Sequence, residues 1–395
     1  MPDGGDPVTI KIAPRLADIA SAAWDACAGT DNPFVSHAFL STLEDSGAVS
    51  GETGWLPQHL IIEDETGGLI GAVPGYLKSH SHGEYVFDWG WADAFERAGG
   101  NYYPKLQISV PFSPVTGPRL LARPGPDQER TRTLLLAGLT ELARQHEVSS
   151  FHVTFCTESE WHMMGDAGLL QRVGQQFHWR NRGYETFDDF LAVLSSRKRK
   201  MIRKEREVAN SGGIEIETLT GDALQDRHME AFYGFYLNTV DRKWANAYLN
   251  REFFHMLRAR LADRVALVMA FLDGKPVAGA LNLIGTDALY GRNWGAAARF
   301  KGLYFEACFY RAIEFAIERG LSRVEAGAQG PHKISRGYIP SPTFSAHWIR
   351  DKGFSEAVEN FLDRERPMMQ DEMAALSHHA PYRKDGGLLS GSEES

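Results

Sequence analysis

The chain has 395 residues, 43% hydrophobic and 24% charged, with 42 Lys plus Arg against 51 Asp plus Glu and a formal net charge of -9. At about 150 residues per domain the length predicts two or three domains, and the acidic balance excludes a surface coated in nucleic acid while leaving room for a local basic patch. Cys27, Cys156 and Cys308 are far apart and odd in number, so neither a disulfide framework nor a cysteine zinc site follows, which fits a reducing compartment. No apolar run reaches the roughly 18 residues of a membrane span, and Met1–Pro7 lacks the cationic start of a secretory signal; the expectation is a cytoplasmic protein.

Residues 1–7 and 384–395 are rich in Gly, Ser and acids and read as disordered tails. Residues 59–90 read as an apolar strand, a turn at Glu65–Gly68, a second strand, and a third strand ending in Trp89-Gly90. An insert at about 95–126, rich in Pro, Gly and aromatics, has the character of a functional connection. Arg130 to Arg144 has helical spacing of apolar residues, and Phe151–Phe155 reads as a strand. A polar stretch near 180–187 marks a boundary. Asp188 or Asp189 then caps a helix running to about Asn210. Residues 265–295 repeat the first pattern: strand, turn at Asp273–Pro276, strand, and a strand ending in Trp294-Gly295. Phe305 to Arg319 follows as a helix closed by Gly320, then the strand Arg323–Ala326. Each half thus reads as three strands, a helix and a strand, an internal duplication of α/β (α+β) class. The predicted domains are 8–183 and 187–382.

Three groups of residues are chemically dense. In EAGAQGPHKISRGYIP (325–340), His332 has an unperturbed pKa near 6.5, Lys333 and Arg336 suit a phosphate or carboxylate, and the glycines allow close backbone approach. The Trp-Gly segments place Asp88, Trp89 and Trp91 in one half and Arg292 and Trp294 in the other, as candidate walls of a cleft for an amphipathic substrate. SSRKRKMIRKER (195–206) is a basic helix on which Lys200, Arg203 and Lys204 share a face, suited to a diphosphate, a lipid phosphate, a tRNA backbone or an anionic membrane surface. No metal site is expected, and no Gly-x-Ser-x-Gly or Cys-His arrangement points to a hydrolase.

The segments FDWGWADAFERAGGNYYPKL (87–106), VPFSPVTGPRLL (110–121), SSRKRKMIRKER (195–206), FEACFYRAIEFAIERG (305–320) and EAGAQGPHKISRGYIP resemble those of the FemAB-like family of bacterial proteins, labelled peptidoglycan biosynthesis or recognition. The likeness covers about residues 15–382. It implies two tandem GNAT-like units, each a mixed, mostly antiparallel sheet flanked by helices. In such folds the acyl donor lies between two splayed strands, and amides at the following helix start cradle its pyrophosphate. Arg299-Phe300-Lys301-Gly302-Leu303-Tyr304 occupies that place, with Arg299, Lys301 and Gly302 as candidate donor contacts and Tyr304 where the family pattern wants Gly or Ala. The first half has no such cradle before its helix. The resemblance also puts Glu325 at the strand edge facing the reacting carbonyl, so Glu325 and His332 are alternative general bases.

The resulting expectation is an N-acyltransferase moving an acyl or aminoacyl group from acyl-CoA, acyl carrier protein or aminoacyl-tRNA to an amine on a lipid-like or cell-wall precursor. No permanently bound cofactor is expected, tRNA is the less favoured co-substrate, DNA is not a partner, and a peripheral position at the inner membrane is open. Two rivals are a non-catalytic protein that binds a cell-envelope precursor and a membrane adaptor using the basic helix.

Overall fold

The computed structural model describes residues 9–242, 246–327 and 330–383; the tails expected at 1–7 and 384–395 lie outside the described residues. The chain opens with β1 (Thr9–Ala13), β2 (Trp55–Pro57), β3 (His59–Glu63), β4 (Leu69–Val73) and β5 (Gly75–Lys78). The β3–β4 turn is built on Asp64, whose Oδ1 accepts from the N–H of Thr66 (3.0 Å) and of Gly68 (2.8 Å), an aspartate turn, and the pairing shifts register by one residue between Ile62 and Glu63. Then come the helix Trp89–Arg97, β6 (Lys105–Ile108), β7 (Leu121–Ala122), the helix Gln128–Gln145 and β8 (Ser150–Cys156). Leu135, Leu139 and Leu142 of the long helix pack with Leu60, Ile62, Val73, Leu106 and Phe151 of the strands, as helical spacing of apolar residues requires.

Residues after Lys78 do not form the expected third strand. Gly83 and Tyr85 sit at φ 82° and 62°, which no extended strand accommodates, and Trp89-Gly90 begins a helix. The third strand is β6, inside the segment read from sequence as an insert.

β9 (Leu170–Arg180) is followed by the helices Phe187–Ala192 and Ser196–Ala209, where sequence predicted one. Thr186 caps the first: its Oγ1 accepts from the Asp189 N–H (3.1 Å) and Asp189 accepts from the Thr186 N–H (2.8 Å), a reciprocal box. The helices separate because the Leu194 backbone is committed to a bridge with Tyr382. The chain continues through β10 (Ile214–Leu219), the helices Asp226–Arg242 and Arg251–Leu261, β11 (Val265–Leu272), β12 (Lys275–Ile284) and β13 (Ala288–Ala296). A helical run from Leu303 to Glu318 precedes β14 (Arg323–Glu325), β15 (Ile339–Ile349) and the helix Lys352–Ser377. β11 is a nearly unbroken apolar run buried on both faces. The β11–β12 turn uses Asp273 and Gly274 at φ 51° and 71°, the paired positive φ values that match hairpin twist.

The chain divides into two compact units, neither continuous in sequence. The first is Met1–Gly174 with Tyr248–Arg260 and Thr343–Met369; the second is Gln175–Ala247 with Leu261–Pro342 and Gln370–Ser395. This corrects the sequential boundaries 8–183 and 187–382. The reason is strand pairing: β15 runs antiparallel to β8 in the first unit, and β9 runs antiparallel to β14 in the second. Each unit therefore has the same plan. In the first, β2, β5 and β6 are antiparallel neighbours, β6 and β8 are parallel, and β15 lies antiparallel beside β8; β1, β3, β4 and β7 make a separate sheet. In the second, β10 to β13 form an antiparallel meander, β14 lies parallel to β13, and β9 follows.

Candidate functional site

In the second unit β13 and β14 pair only over Ala288↔Arg323, Leu289↔Val324 and Tyr290↔Glu325. Beyond that point they part. β13 carries a bulge in which Asn282 faces Gly291 while Leu281 faces Asn293, so Arg292 is the extra residue and the strand bends there. The gap is a slot of ≈ 90 Å³ lined by Gly291–Trp294 on one side and Ala326, Tyr304, Cys308 and Phe309 on the other. Next to it is a cleft of ≈ 610 Å³ whose lining includes Arg242, Arg299, Phe300, Lys301 and Gly302 and, among the described residues, no carboxylate. Trp294 and Tyr304 line both cavities, with ring centroids 5.7 Å apart, so this aromatic pair stands between slot and cleft. The three expected donor contacts, Arg299, Lys301 and Gly302, are thus brought together. Gly302 has a second role: it sits at φ 79°, and a Cβ there would lie 3.2 Å from the Glu205 carbonyl oxygen.

The helix that follows the cleft is one turn of α-helix, a five-residue π segment (Glu306–Tyr310) and the α-helix Arg311–Glu318. Such π segments recur beside functional sites. Its fully buried Glu306 is held by Arg206 (3.0 and 3.2 Å) and Arg311 (3.0 Å). Arg206, counted from sequence among the basic residues of its helix, is therefore a structural clamp. Lys200, Arg203 and Lys204 are exposed on that helix, with Arg203 pairing to Asp188 at 3.1 Å.

The dense segment 325–340 divides between several surroundings. Glu325 is buried; its Oε1 accepts from Arg323 Nε (2.9 Å), while Oε2 makes no hydrogen bond and lies 3.8 Å from His178 Nε2. Burial raises its pKa, against the pull of Arg323. The slot wall at this point is Ala326 rather than Glu325. His332 is exposed and packs against the rings of Tyr304, Phe305 and Phe309 at 6.0, 5.7 and 5.9 Å; desolvation, then Arg336 and Lys333, lower its pKa. Lys333 is buried, and its ammonium donates to the carbonyls of Ala326 and Gly327 (3.0 Å to the latter). Burial pulls its pKa down to about 8. It is anchored where β14 ends and the slot begins. Arg336 departs from expectation: it makes a bidentate pair with Glu205 (2.7 and 3.1 Å), donates to the His332 carbonyl (2.8 Å) and stacks 3.4 Å over Phe305. With its guanidinium so engaged, Arg336 fixes the loop to the helix Ser196–Ala209 and leaves the anion-binding set.

In the first unit Asp88, expected on a cleft wall, is not open to a substrate. It is buried at the start of the helix Trp89–Arg97 and paired with Lys105. Lys105, also fully buried, spends its three ammonium hydrogens on Asp88, Glu84 (2.7 Å) and Ser81 (2.7 Å). The network continues: Tyr102 donates to Asp88 (2.8 Å) and lies 3.3 Å from His152 Nε2. His152 Nδ1 meets His347 Nδ1 at 2.8 Å, so one ring donates and the other accepts. Burial, then Lys105, pushes His152 down to about 3. Trp91 is buried against His347 with centroids 5.0 Å apart, and Trp89 is 40% exposed. Asp88, Trp89 and Trp91 thus belong to the first unit, Arg292 and Trp294 to the second, and the expected symmetry of two strand ends is absent, because of the two Trp-Gly pairs only Trp294-Gly295 is on a strand. Sequence reading passed over Lys105, Tyr102, His152 and His347 entirely; the one signal was polar residues at alternate positions of two strands, Lys105/Gln107 and His152/Thr154.

A meander, a parallel strand splayed from it and a helix between them define the GNAT arrangement, present here as two tandem units. The chain belongs to the FemAB-like family, described as peptidoglycan biosynthesis/recognition, which matches residues 15–384. Among solved structures it is similar to FemX, at a TM-score of 0.55 and 10% identity over 89% of this chain and 100% of that one. It is equally similar, at 0.55 and 11% identity, to the C-terminal domain of a putative lysylphosphatidylglycerol synthetase from Agrobacterium fabrum, over 87% and 95% of the two chains. A protein of unknown function from Bacteroides thetaiotaomicron aligns at 0.50 and 13% identity over 87% and 100%. At these identities the likeness speaks for the fold alone. No curated protein matches the chain. Among the described residues no helix is long and apolar enough to cross a membrane, and no cluster of His, Cys, Asp or Glu is arranged to hold a metal ion.

Proposed function

We propose that the second unit is the catalytic half of a transferase that moves an activated aminoacyl or acyl group onto an amine of a cell-envelope precursor. The observation that carries this reading is the junction of a splayed parallel strand pair with a cleft that bears Arg242, Arg299 and Lys301 and, among the described residues, no carboxylate. The donor's phosphates lie in the cleft, and its acyl carbonyl reaches the slot between β13 and β14. Strand N–H groups there hold the carbonyl oxygen as charge develops on it. The amine nitrogen attacks the carbonyl carbon; the ester or thioester bond to the donor breaks; one amine proton goes to a base and the leaving oxygen or sulfur is protonated. Glu325, with its orphan Oε2, and His332 are the candidate bases. Lys333, held at the slot's end by two carbonyls, is placed to orient an anionic group of the substrate.

The slot, ≈ 90 Å³, is much smaller than the neighbouring cleft of ≈ 610 Å³, and Tyr304 lines both. That suits a small aminoacyl group better than an extended pantetheine arm, whose path Tyr304 would cross. We therefore place aminoacyl-tRNA first among donors and acyl-CoA second. The acceptor is a lipid-like or peptidoglycan precursor amine.

The test is equilibrium binding of aminoacyl-tRNA and of CoA, followed by single-turnover transfer of a labelled amino acid to extracted lipid and cell-wall precursors. Arg299→Ala with Lys301→Ala is expected to weaken donor binding at least about tenfold, with a reduced salt slope; unchanged binding refutes the assignment of the cleft. A second reading, a protein that binds a precursor without transforming it, is favoured by the engagement of Glu325 with Arg323. Glu325→Gln and His332→Ala decide between them: a transferase loses turnover in one of the two, whereas a binder keeps its ligand affinity and has no turnover to lose.

A further inference from the structure

The buried network of the first unit ends at a surface feature. Glu84 and Asp88 are the only carboxylates between Ser79 and Ala92, and both are buried, 4% and 3% exposed, against Lys105. The residues between and beside them point the other way. Tyr85 is 41% exposed, Phe87 63% and Trp89 40%. Three large aromatics at every second position face solvent, while the two acids at the segment's ends face inward.

The segment is held in this posture. Lys105 clamps Glu84 and Asp88 at once. Gly83 at φ 82° leaves no room for a side chain, since a Cβ would lie 2.6 Å from the Phe112 ring. Tyr85 keeps a left-handed φ of 62°, which a non-glycine residue holds only where its neighbours dictate it. Arg172 donates to the Phe87 carbonyl (2.8 Å) and is neutralised by Glu365 (2.6 and 2.8 Å). The His82 ring packs on Trp89 at 4.9 Å. Trp91, beneath, meets Phe361, itself 41% exposed, at 6.5 Å. A soluble surface gains nothing from fixing aromatic side chains outward, because hydrophobic burial would favour folding them in.

We propose that the ledge Tyr85–Phe87–Trp89 is the protein's docking surface for a phospholipid bilayer. The chemistry of the ledge selects this partner. Tyr and Trp carry a polar tip on an apolar body and settle at the headgroup boundary, and Phe supplies apolar depth. Tyr85, Phe87 and Trp89 are uncharged and the two carboxylates among them are buried, so the contact rests on aromatic insertion; Asp93, one turn beyond Trp89, is the nearest exposed acid in sequence. A pre-fixed ledge inserts without first ordering a loop, which removes an entropic cost of binding. The proposal is independent of any catalytic role for the second unit: a ledge that binds lipid is compatible with both readings given above.

The experiment is co-sedimentation of the full chain with vesicles of phosphatidylcholine alone and of phosphatidylcholine mixed with phosphatidylglycerol. It is paired with quenching of tryptophan fluorescence by lipids brominated along the acyl chain. Expected are binding to both vesicles and bromine quenching that Trp89→Phe abolishes. The variant Tyr85→Ser/Phe87→Ser/Trp89→Ser is expected to reduce vesicle partitioning at least about tenfold with an unchanged thermal midpoint, since all three side chains are already exposed. The control variant Lys200→Glu/Lys204→Glu alters the basic helix instead. Absence of vesicle binding by the unmodified chain overturns the proposal and leaves a protein partner for the ledge. Binding that survives the triple serine variant but is lost in the lysine variant overturns it in favour of the basic helix.

Discussion

Replacing Lys105 by methionine tests the physical account of the first unit most severely. The side chain is of similar length and apolar, so packing is nearly kept, while the positive charge between Glu84 and Asp88 disappears. Three charge-assisted or polar hydrogen bonds go with it, to Ser81, Glu84 and Asp88. Two carboxylates then lie buried, Asp88 with the Tyr102 hydroxyl donating to it and Glu84 with only the Lys78 ammonium 3.9 Å away. Breaking a buried pair by removing one partner costs about 3–5 kcal/mol, so urea unfolding at pH 8, followed by tryptophan fluorescence, is expected to show a loss of that size. The loss depends on pH with a definite sign. In the native protein Asp88 is buried, which raises its pKa, but Lys105 overrides this and holds the carboxyl far below the usual range. Without Lys105 the folded pKa rises above the unfolded value. The unfolded state then binds fewer protons, and stability falls as pH rises. The deficit of Lys105→Met is therefore smaller at pH 5 than at pH 8. Glu84, which burial already raises to about 7, moves in the same direction. The companion variant Lys105→Met/Glu84→Gln/Asp88→Asn removes all three charges and is expected to recover most of the loss. A single variant costing under about 1 kcal/mol, or a triple variant no better than the single, would refute the argument that uncompensated charge is the cause.

Two further outcomes follow from the geometry. His152 and His178 are pushed down to about 3, chiefly by burial, and His347 well below its ordinary value. Their folded pKa values lie under the unfolded value near 6.5, so the stability they carry at neutral pH is lost as pH falls from about 6.5 toward 3, at up to about 1.4 kcal/mol per pH unit for each. Urea midpoints across that range measure the slope, and His152→Asn with His347→Asn is expected to flatten it. Tyr304→Ala joins slot and cleft. It is expected to cost about 1.5–3 kcal/mol, less than for a fully buried aromatic, and to raise affinity for CoA in a calorimetric titration; unchanged affinity would mean that Tyr304 is not what bars the arm.

Local signals carried much of the fold. The helix Gln128–Gln145 announces itself through 3.6-residue apolar spacing, and the β11–β12 hairpin through Asp273-Gly274. Arg299, Lys301 and Gly302 were legible as a group because one short segment contains all three. What was hidden is non-local. Nothing near Phe344 or Trp348 states that this strand pairs with β8 rather than with a strand of its own half. Arg336 reads as a free cation until Glu205, distant in sequence, is seen beside it. The Lys105 network eluded reading for the same reason: each member is an ordinary polar residue alone, and only the parallel pairing of β6 with β8 assembles them.

The far-flung strand β15 also sets a timetable. The bond between His152 and His347 spans 195 residues of chain. On a ribosome adding about 5–20 residues per second, roughly 10–40 s pass between the emergence of β8 and of the strand that covers it. Throughout that interval β8 is an open edge beside a row of half-satisfied polar groups, a template for pairing with another nascent chain. The first unit, though it starts first, cannot be complete until its last segment, Thr343–Met369, has emerged. A chain cut before Thr343 forfeits a structural member of its own beginning, and its expected fate is aggregation rather than the release of an intact amino-terminal half.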